Sequence, residues 1–195
     1  MTTRAHSRLA VLMAAGALLV VVYLDIAWIQ QVDPILDPVS DYFFHNGALF
    51  VLAVLQLMAG GLAVTRGLGR AGVPVARSVA VLFELWLAGL AVVAVFPGNP
   101  STDVSTVSGE IHRIGGAVFF VCLPVACWLL ARSLHRDPLW SAAARRIRWF
   151  TGVSLVTAGL FGVAQFVPWL PQGLLERFAL GAEVALVVVL AGTIR

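Results

Sequence analysis

Long apolar runs separated by short polar segments dominate the chain. Six such runs cover approximately residues 9–31, 42–65, 76–96, 110–133, 147–169 and 174–194. Each run is close to the roughly twenty residues that an α-helix needs to cross a bilayer. Because the polar connections are short, consecutive helices should be antiparallel neighbours. The pattern predicts an all-α integral membrane protein, a bundle of six transmembrane helices that forms a single domain over residues 1–195.

Composition agrees with a membrane location. Hydrophobic residues make up 60% of the 195 positions, charged residues make up 12%, and the mean hydropathy is +0.93. Soluble domains carry about twice that charged fraction. The net charge of +3 comes from arginines in the polar segments, so it bears on membrane orientation and not on nucleic-acid binding. We therefore predict a multi-pass protein of the cell membrane that contacts lipids and binds no nucleic acid.

Arginines are distributed unequally between the two ends of the predicted bundle. All 13 basic residues are arginines, and all but Arg113 and Arg177 fall at the end that holds both termini. Positively charged segments of membrane proteins tend to remain in the cytoplasm. Both termini are therefore predicted to be cytoplasmic.

Three acidic residues lie inside the apolar runs and away from their first residues, namely Asp25, Glu84 and Glu183. A charged side chain at the bilayer centre costs about 3 kcal/mol, so these acids are predicted to face the bundle interior, a polar partner or water. Because desolvation favours the uncharged form of a carboxyl group, an embedded acid can also serve as a proton donor. Alternatively, each acid makes only a structural hydrogen bond between helices.

Small side chains recur on one face of several predicted helices, and such stripes let membrane helices approach closely. The stripes consist of Ala10, Ala14 and Ala17 in the first helix, Ala53, Gly60 and Ala63 in the second, Ala80, Ala88 and Ala91 in the third, and Ser154, Ala158 and Gly162 in the fifth. Glu84 shares the face of the third stripe. These faces, and Glu84 with them, are predicted to pack inside the bundle.

Segment 37–47 places acids, aromatic rings and a histidine where the second helix begins. Asp41 and His45 are four residues apart, so we expect them to share a helix face. Glu110 and His112 open the fourth helix at the same end, and the four side chains are predicted to converge. Two carboxylates and two imidazoles can bind a divalent metal ion, but this spacing is not that of a known ligand motif. We therefore predict hydrogen bonds or a histidine–carboxylate pair here and assign no metal and no cofactor.

Aromatic side chains are frequent toward the same end of the predicted bundle. Interfacial belts account for many of them, because Trp and Tyr favour the membrane surface. Inside a cavity, each ring face stabilises a desolvated cation by about 2 kcal/mol. On this reasoning the candidate substrate-binding residues are Tyr23, Trp28, Tyr42, Phe44, Trp86, Phe120 and Trp169, together with the amide of Gln165.

Short motifs at three places carry a resemblance to a known family. They are Pro-Val-Ser-Asp at 38–41, Phe-Pro at 96–97 with Glu-Ile-His-Arg-Ile-Gly-Gly at 110–116, and Asp-Pro-Leu-Trp at 137–140. Through them the chain resembles the bacterial six-helix membrane family catalogued as domain of unknown function 998. The resemblance implies the six-helix fold and leaves the function open. In type alone, as a helical bundle with embedded acids and aromatic rings, the chain is similar to small integral-membrane terpene cyclases, whose motifs it does not match.

Three functions agree with these features. The first is an enzyme that cyclises or isomerises a prenyl-type lipid in an intramembrane cavity. Its catalytic candidates are Asp25, Glu84 and Glu183 as proton donors in that order, with Asp41, His45 and His112 beside them. The second is a proton-coupled transporter or channel for a small molecule, with the same acids as a relay. The third is a non-catalytic scaffold. We favour the enzyme, because six short helices with one polar, aromatic end suggest a cavity with a single mouth.

Overall fold

A computed structural model describes residues 2–100, 104–167 and 169–194. Over these residues the regular elements are six α-helices and one short 3₁₀ helix. The α-helices are α1 (Thr3–Ala27), α2 (Tyr42–Arg70), α3 (Arg77–Val95), α4 (Val107–Leu134), α5 (Ser141–Ala164) and α6 (Gln172–Ala191), and the 3₁₀ helix (Val39–Asp41) directly precedes α2. The predicted all-α fold with six helices is confirmed.

Five of the helices, α1 to α5, are long and apolar enough to cross a membrane. The chain is therefore a multi-pass membrane protein, as its hydropathy predicts. Helix α6 differs from the others, because its 20 residues leave no membrane-length stretch free of the three charged side chains of Glu176, Arg177 and Glu183. The positions of these three side chains decide how α6 relates to the membrane.

Helix boundaries differ from the apolar runs where polar residues cap a helix. The hydroxyl of Thr2 accepts a hydrogen bond from the Ala5 N–H at 3.3 Å, so α1 begins well before residue 9. The hydroxyl of Thr106 accepts from the Gly109 N–H at 2.9 Å, and α4 begins at Val107 instead of residue 110. Capping therefore extends these two helices into polar sequence that hydropathy alone excludes.

The six helices form a closed ring, in which each helix packs against the next and α6 returns to α1. At one end the Ser7 hydroxyl donates to the Ala191 carbonyl at 2.8 Å, and at the other Arg177 pairs with Asp25, so α1 and α6 are antiparallel. We call the end with Asp25 and Arg177 the acidic end, and the end with Ser7 and most arginines the arginine-rich end. Helix α6 also touches α2 and α4 across the ring.

Small residues bring α1 and α2 together as predicted. Ala10 and Ala14 are completely buried, and a Cβ added to Gly60 would stand 3.3 Å from the Ala10 carbonyl oxygen. The other members of these two stripes, Ala17, Ala53 and Ala63, are also buried. The close approach of the two backbones therefore depends on the absence of larger side chains along this contact.

The prediction that α3 packs through its alanine stripe is wrong. Glu84 and Ala88 are exposed on the outer surface of the ring, and the other two alanines are only partly buried. Helix α3 instead buries the face that holds Val79, Phe83, Trp86 and Leu90. Gly89 on that face lies against Gly115 of α4, where an added Cβ would stand 2.7 Å from the Gly115 carbonyl oxygen. Bulky side chains packed beside close glycine contacts make more dispersion contacts than an alanine stripe does, so Glu84 faces outward.

Helix α2 is interrupted near the acidic end. Asn46 has the non-helical angles φ −151° and ψ 73°, and its side-chain oxygen accepts a hydrogen bond from the Leu49 N–H at 3.2 Å. Asn46 therefore caps the longer part of α2, and a separate helical turn precedes it. Asp41 ends the 3₁₀ helix and is partly buried, whereas His45 is exposed, so the two side chains have different surroundings.

Candidate functional site

Arg177 of α6 joins three parts of the chain at the acidic end. Its Nε and Nη2 donate to Asp25 Oδ1 of α1 at 3.0 and 2.8 Å. Its Nη1 donates to the backbone carbonyls of Asp37 and Gly173 at 2.9 and 3.0 Å. The Tyr42 hydroxyl of α2 donates to the same Asp25 oxygen at 2.8 Å, and Arg177 Nη2 lies 3.1 Å from that hydroxyl. The guanidinium group thus holds α1, the segment before α2 and α6 together.

A glycine lets the N-terminus of α6 reach this position. The backbone N–H groups of Gly173 and Leu174 donate to the carbonyls of Leu36 and Ile35 at 3.2 and 3.0 Å. A Cβ added to Gly173 would overlap the Asp37 backbone. Only glycine therefore allows the start of α6 to lie on the segment before α2, which brings Arg177 within reach of Asp25.

Glu176, next to Arg177, also links α6 to the segment before α2. The side chain is only 8% exposed, and its Oε2 accepts a hydrogen bond from the Val39 N–H at 2.7 Å. Glu183 follows seven residues later, about two helical turns along the same face of α6. Helix α6 therefore carries two buried acids, one at the acidic end and one near the middle of the helix.

Glu183 lies in a dry polar cluster with Trp86 and Ser154, and Thr151 is buried one helical turn before Ser154 on α5. The Glu183 side chain is 0% exposed, and its Oε1 accepts a hydrogen bond from the Ser154 hydroxyl at 2.9 Å. The indole of Trp86 lies beside this carboxyl group. In and beside this cluster, three buried polar atoms have no hydrogen-bond partner among the described residues: Glu183 Oε2, Trp86 Nε1 and Thr151 Oγ1. Because these side chains have almost no accessible surface, no water-sized space adjoins them, and their unpaired groups are costly in this arrangement.

A series of contacting aromatic side chains extends from this cluster through the helix bundle. Trp86 stacks on Phe119 with centroids 6.2 Å apart, Phe119 contacts Phe120 at 4.6 Å, and Phe120 meets Phe161 edge-on at 5.2 Å. These side chains belong to α3, α4 and α5. The Glu183 carboxyl group therefore lies next to Trp86, which is the first of four aromatic side chains in continuous contact.

The structure does not bring the eight predicted substrate-binding residues together. Tyr42, Trp86 and Phe120 are buried. Tyr23, Phe44, Gln165 and Trp169 are exposed, and Trp28 is partly buried with its ring 6.2 Å from that of Tyr23. The exposed rings lie at the acidic end of the helices, where an interfacial belt would place them.

Two depressions of the surface lie far from these acids. One, of about 530 Å³, is lined by Thr2, Arg4, Ala5, Arg8, Leu9 and Leu12. The other, of about 250 Å³, is lined by Arg4, Ser7, Arg8 and Ile194. Both open at the arginine-rich end and contain none of the predicted site residues.

Histidines and acids at the acidic end make separate local contacts. His112 Nδ1 donates to the Phe96 carbonyl at 2.7 Å. Glu110 accepts from the Ser105 hydroxyl at 2.8 Å and pairs with Arg113 at 3.2 Å, while His45 is exposed. Among the described residues, no group of three or more His, Cys, Asp or Glu side chains is arranged to hold a metal ion. The hydrogen bonds of these residues do not join them into the network predicted for this end.

Sequence reasoning missed Arg177, Glu176 and Ser154. Arg177 is one of two arginines at the acidic end, and the arginines of Asp25's own helix, Arg4 and Arg8, lie at the opposite end, which is the signal that could have paired Asp25 with Arg177. The seven-residue spacing of Glu176 and Glu183 could also have indicated one buried face of α6. Nothing in the local sequence of α5 distinguishes Ser154 as the partner of an acid.

Comparison with known proteins gives one match. A family model described as "Protein of unknown function (DUF998)" matches residues 12–193, which is nearly the whole chain. No curated protein and no solved structure matches the chain.

Proposed function

Since the chain belongs to the DUF998 family, whose description assigns no activity, we propose from its geometry that it is a proton-coupled transport protein in which Glu183 binds and releases the proton. The observation that carries this proposal is the state of the Glu183 carboxyl group. It is completely buried near the middle of α6, with one oxygen bonded to Ser154 and the other without a partner. Ionisable groups at such depth in membrane proteins mark proton relays and substrate paths.

The arrangement described here corresponds to a closed state of such a transporter. Arg177 and Glu176 tie α6 to neighbouring segments at the acidic end, and no water-sized space adjoins Glu183. Transport requires this carboxyl group to meet water from each side in turn, so α6 has to move against its neighbours.

Protonation changes what the Glu183 carboxyl group can bond. The ionised group only accepts hydrogen bonds, whereas the neutral group donates through one oxygen and accepts through the other. The Ser154 hydroxyl and the Trp86 N–H lie beside the carboxyl group, the Thr151 hydroxyl lies one helical turn before Ser154, and the Trp86 and Thr151 groups are unpaired. The two protonation states therefore favour different pairings between α6 and helices α3 and α5. Such a difference in interaction energy is what coupling of proton binding to helix movement requires.

We also propose that α6 crosses the membrane as a sixth span. Its charged side chains face the interior of the helix bundle, since Glu176 is 8% exposed, Glu183 is 0% exposed and the Arg177 side chain is 14% exposed. Its outward positions include the apolar side chains of Leu174, Phe178 and Val188. Six spans place both termini on one side, which the arginine distribution assigns to the cytoplasm.

A pair of reporter fusions tests this topology. A reporter fused after Arg195 should lie in the cytoplasm, and the same reporter fused after Pro171, directly before α6, should lie outside. Alkaline phosphatase, which is active only outside the cytoplasm, and green fluorescent protein, which fluoresces inside, measure the two positions. If both fusions report the same side, α6 does not cross the membrane; if both sides are exchanged, the orientation is inverted.

Proton flux in liposomes tests the role of Glu183. The purified protein should dissipate an imposed pH gradient faster than protein-free liposomes, as followed by a pH-sensitive dye in the lumen. Glu183→Gln keeps the shape and the bond to Ser154 but cannot release a proton, so the flux should fall at least tenfold. Glu110→Gln is the matched control, because Glu110 is an exposed acid at the acidic end, and its flux should equal that of the wild type.

Two outcomes would overturn the transport proposal. One is a wild-type flux no greater than that of protein-free liposomes. The other is a Glu183→Gln flux equal to that of the wild type while helical content is unchanged in both. Difference infrared spectra add a direct readout, because a carboxyl band that changes with pH in the wild type should be missing in Glu183→Gln.

A second candidate is the acid-initiated cyclase, favoured by the aromatic run from Trp86 to Phe161 beside the buried carboxyl group. In this case Glu183 replaces Asp25 as the first choice of proton donor, because Asp25 pairs with Arg177 and Glu84 faces outward. A pocket has to open beside Glu183 to admit a lipid. Incubation with a prenyl epoxide, followed by mass spectrometry, should then give a cyclic product with the wild type and none with Glu183→Gln. If neither flux nor product depends on Glu183, the scaffold function remains.

A further inference from the structure

The outward-facing carboxyl group of Glu84 has no role within the ring of helices. Glu84 lies near the middle of α3, a 19-residue helix that can cross a membrane, and its side chain is exposed. Within the part of the chain that the structure describes, it makes no hydrogen bond and belongs to neither ion pair. At this depth the surface of the ring faces hydrocarbon, so the carboxyl group remains unsatisfied unless another molecule covers it.

The surface around Glu84 permits close approach of another helix. Val81, Glu84, Ala88 and Ala91 follow one another at alternating spacings of three and four residues, which places them along one line of α3. Two of the four side chains in this line, Ala88 and Ala91, are small, and Val81 is short and apolar. A line of this composition lets two helix backbones come close enough for a polar side chain to reach across.

We propose that two copies of the chain pair through this face of α3, with Glu84 hydrogen-bonded to Glu84 of the partner subunit. All copies enter a membrane in the same orientation, so a two-fold axis along the membrane normal places the two carboxyl groups at the same depth. A carboxyl group that carries a proton donates one hydrogen bond and accepts another, so two such groups are mutually complementary. A second copy supplies the required polar group by symmetry, whereas an unrelated protein would need an independent polar residue at that depth. The pairing does not depend on the transport proposal.

Energy transfer between labelled full-length chains in liposomes tests the pairing, with the lipid-to-protein ratio raised stepwise. The wild type should remain dimeric on dilution. Glu84→Leu should weaken association at least tenfold, and Ala88→Leu should also weaken it by holding the two helices apart. Glu84→Gln should remain dimeric, because amide groups can also donate and accept between themselves.

The control is Gly159→Leu on α5, where an added Cβ would meet nothing within 4 Å and the residue is exposed. This variant adds at least as much bulk as Ala88→Leu, but to a different outer surface, and should leave association unchanged. In membranes, Ala88→Cys should cross-link to a dimer and Gly159→Cys should not. A wild type that is monomeric at every dilution overturns the proposal. So does a Glu84→Leu variant that associates as tightly as the wild type.

Discussion

Arg177→Met should lower the free energy of unfolding by about 3 kcal/mol, because it leaves the Asp25 carboxylate without its cation. The two side chains are only 14% and 22% exposed, so water replaces little of the lost interaction. The variant also removes the donor to the carbonyls of Asp37 and Gly173, while methionine keeps most of the apolar volume. Chemical unfolding in mixed micelles, followed by circular dichroism, measures the loss.

Arg113→Met is the matched control for this prediction. Arg113 pairs with Glu110 at 3.2 Å, but these side chains are 61% and 45% exposed. Exposed pairs contribute about 0–1 kcal/mol, so this variant should unfold almost as the wild type does. The double variant Asp25→Asn with Arg177→Met should recover part of the loss, since no unpaired charge remains. Equal losses for Arg177→Met and Arg113→Met would show that the pair between α1 and α6 has no special part in stability.

Gly89→Ala should cost about 2–3 kcal/mol, because the added methyl group has no space between α3 and α4. Its Cβ would stand 2.7 Å from the Gly115 carbonyl oxygen and 2.8 Å from the Phe119 backbone nitrogen. Both are backbone atoms and cannot rotate away as a side chain does, so the two helices must separate. The separation also loosens the stacking of Trp86 on Phe119. The same unfolding measurement applies.

Gly116→Ala controls for the glycine substitution itself. Gly116 follows Gly115 on α4, yet an added Cβ there meets nothing within 4 Å. Since alanine favours a helix over glycine by about 0.8–1 kcal/mol, this variant should be as stable as the wild type or more stable. If Gly116→Ala is destabilised as much as Gly89→Ala, close contact between α3 and α4 is not the cause.

Hydropathy was sufficient to predict six helices, but not the direction in which each helix faces. In a soluble protein the polar face of a helix indicates which side meets water, whereas in a membrane both sides of a helix are apolar. For α1 and α2 the alanine and glycine stripes indicated the buried side correctly. For α3 the same criterion selected Glu84 and Ala88, although Trp86 and Gly89 are the residues that fit against the neighbouring helices.

The candidate site was predictable only in part, for a related reason. The positions of Asp25, Glu84 and Glu183 along the apolar runs show how deep each lies in the membrane. The same positions indicate the free-energy cost of placing a charged group there. They do not show the partners of these acids, because Arg177 is 152 residues from Asp25 and Ser154 is 29 residues from Glu183. These contacts depend on which helices are neighbours in the ring. Short loops predict sequential neighbours, but they do not predict that α6 returns to α1.

Closure of the ring between α1 and α6 has a consequence for the order of assembly. The contacts that close it join residues 152 and 184 positions apart, Arg177 with Asp25 and Ser7 with Ala191. Helix α6 follows the other five helices along the chain, so Asp25 is inserted long before its cation has been synthesised. Until then, the groove between α1 and α5 has to remain open, with the Ser154 hydroxyl uncovered. Translocation machinery or lipid therefore has to shelter these polar groups during synthesis, and a chain that ends after α5 would leave them exposed permanently.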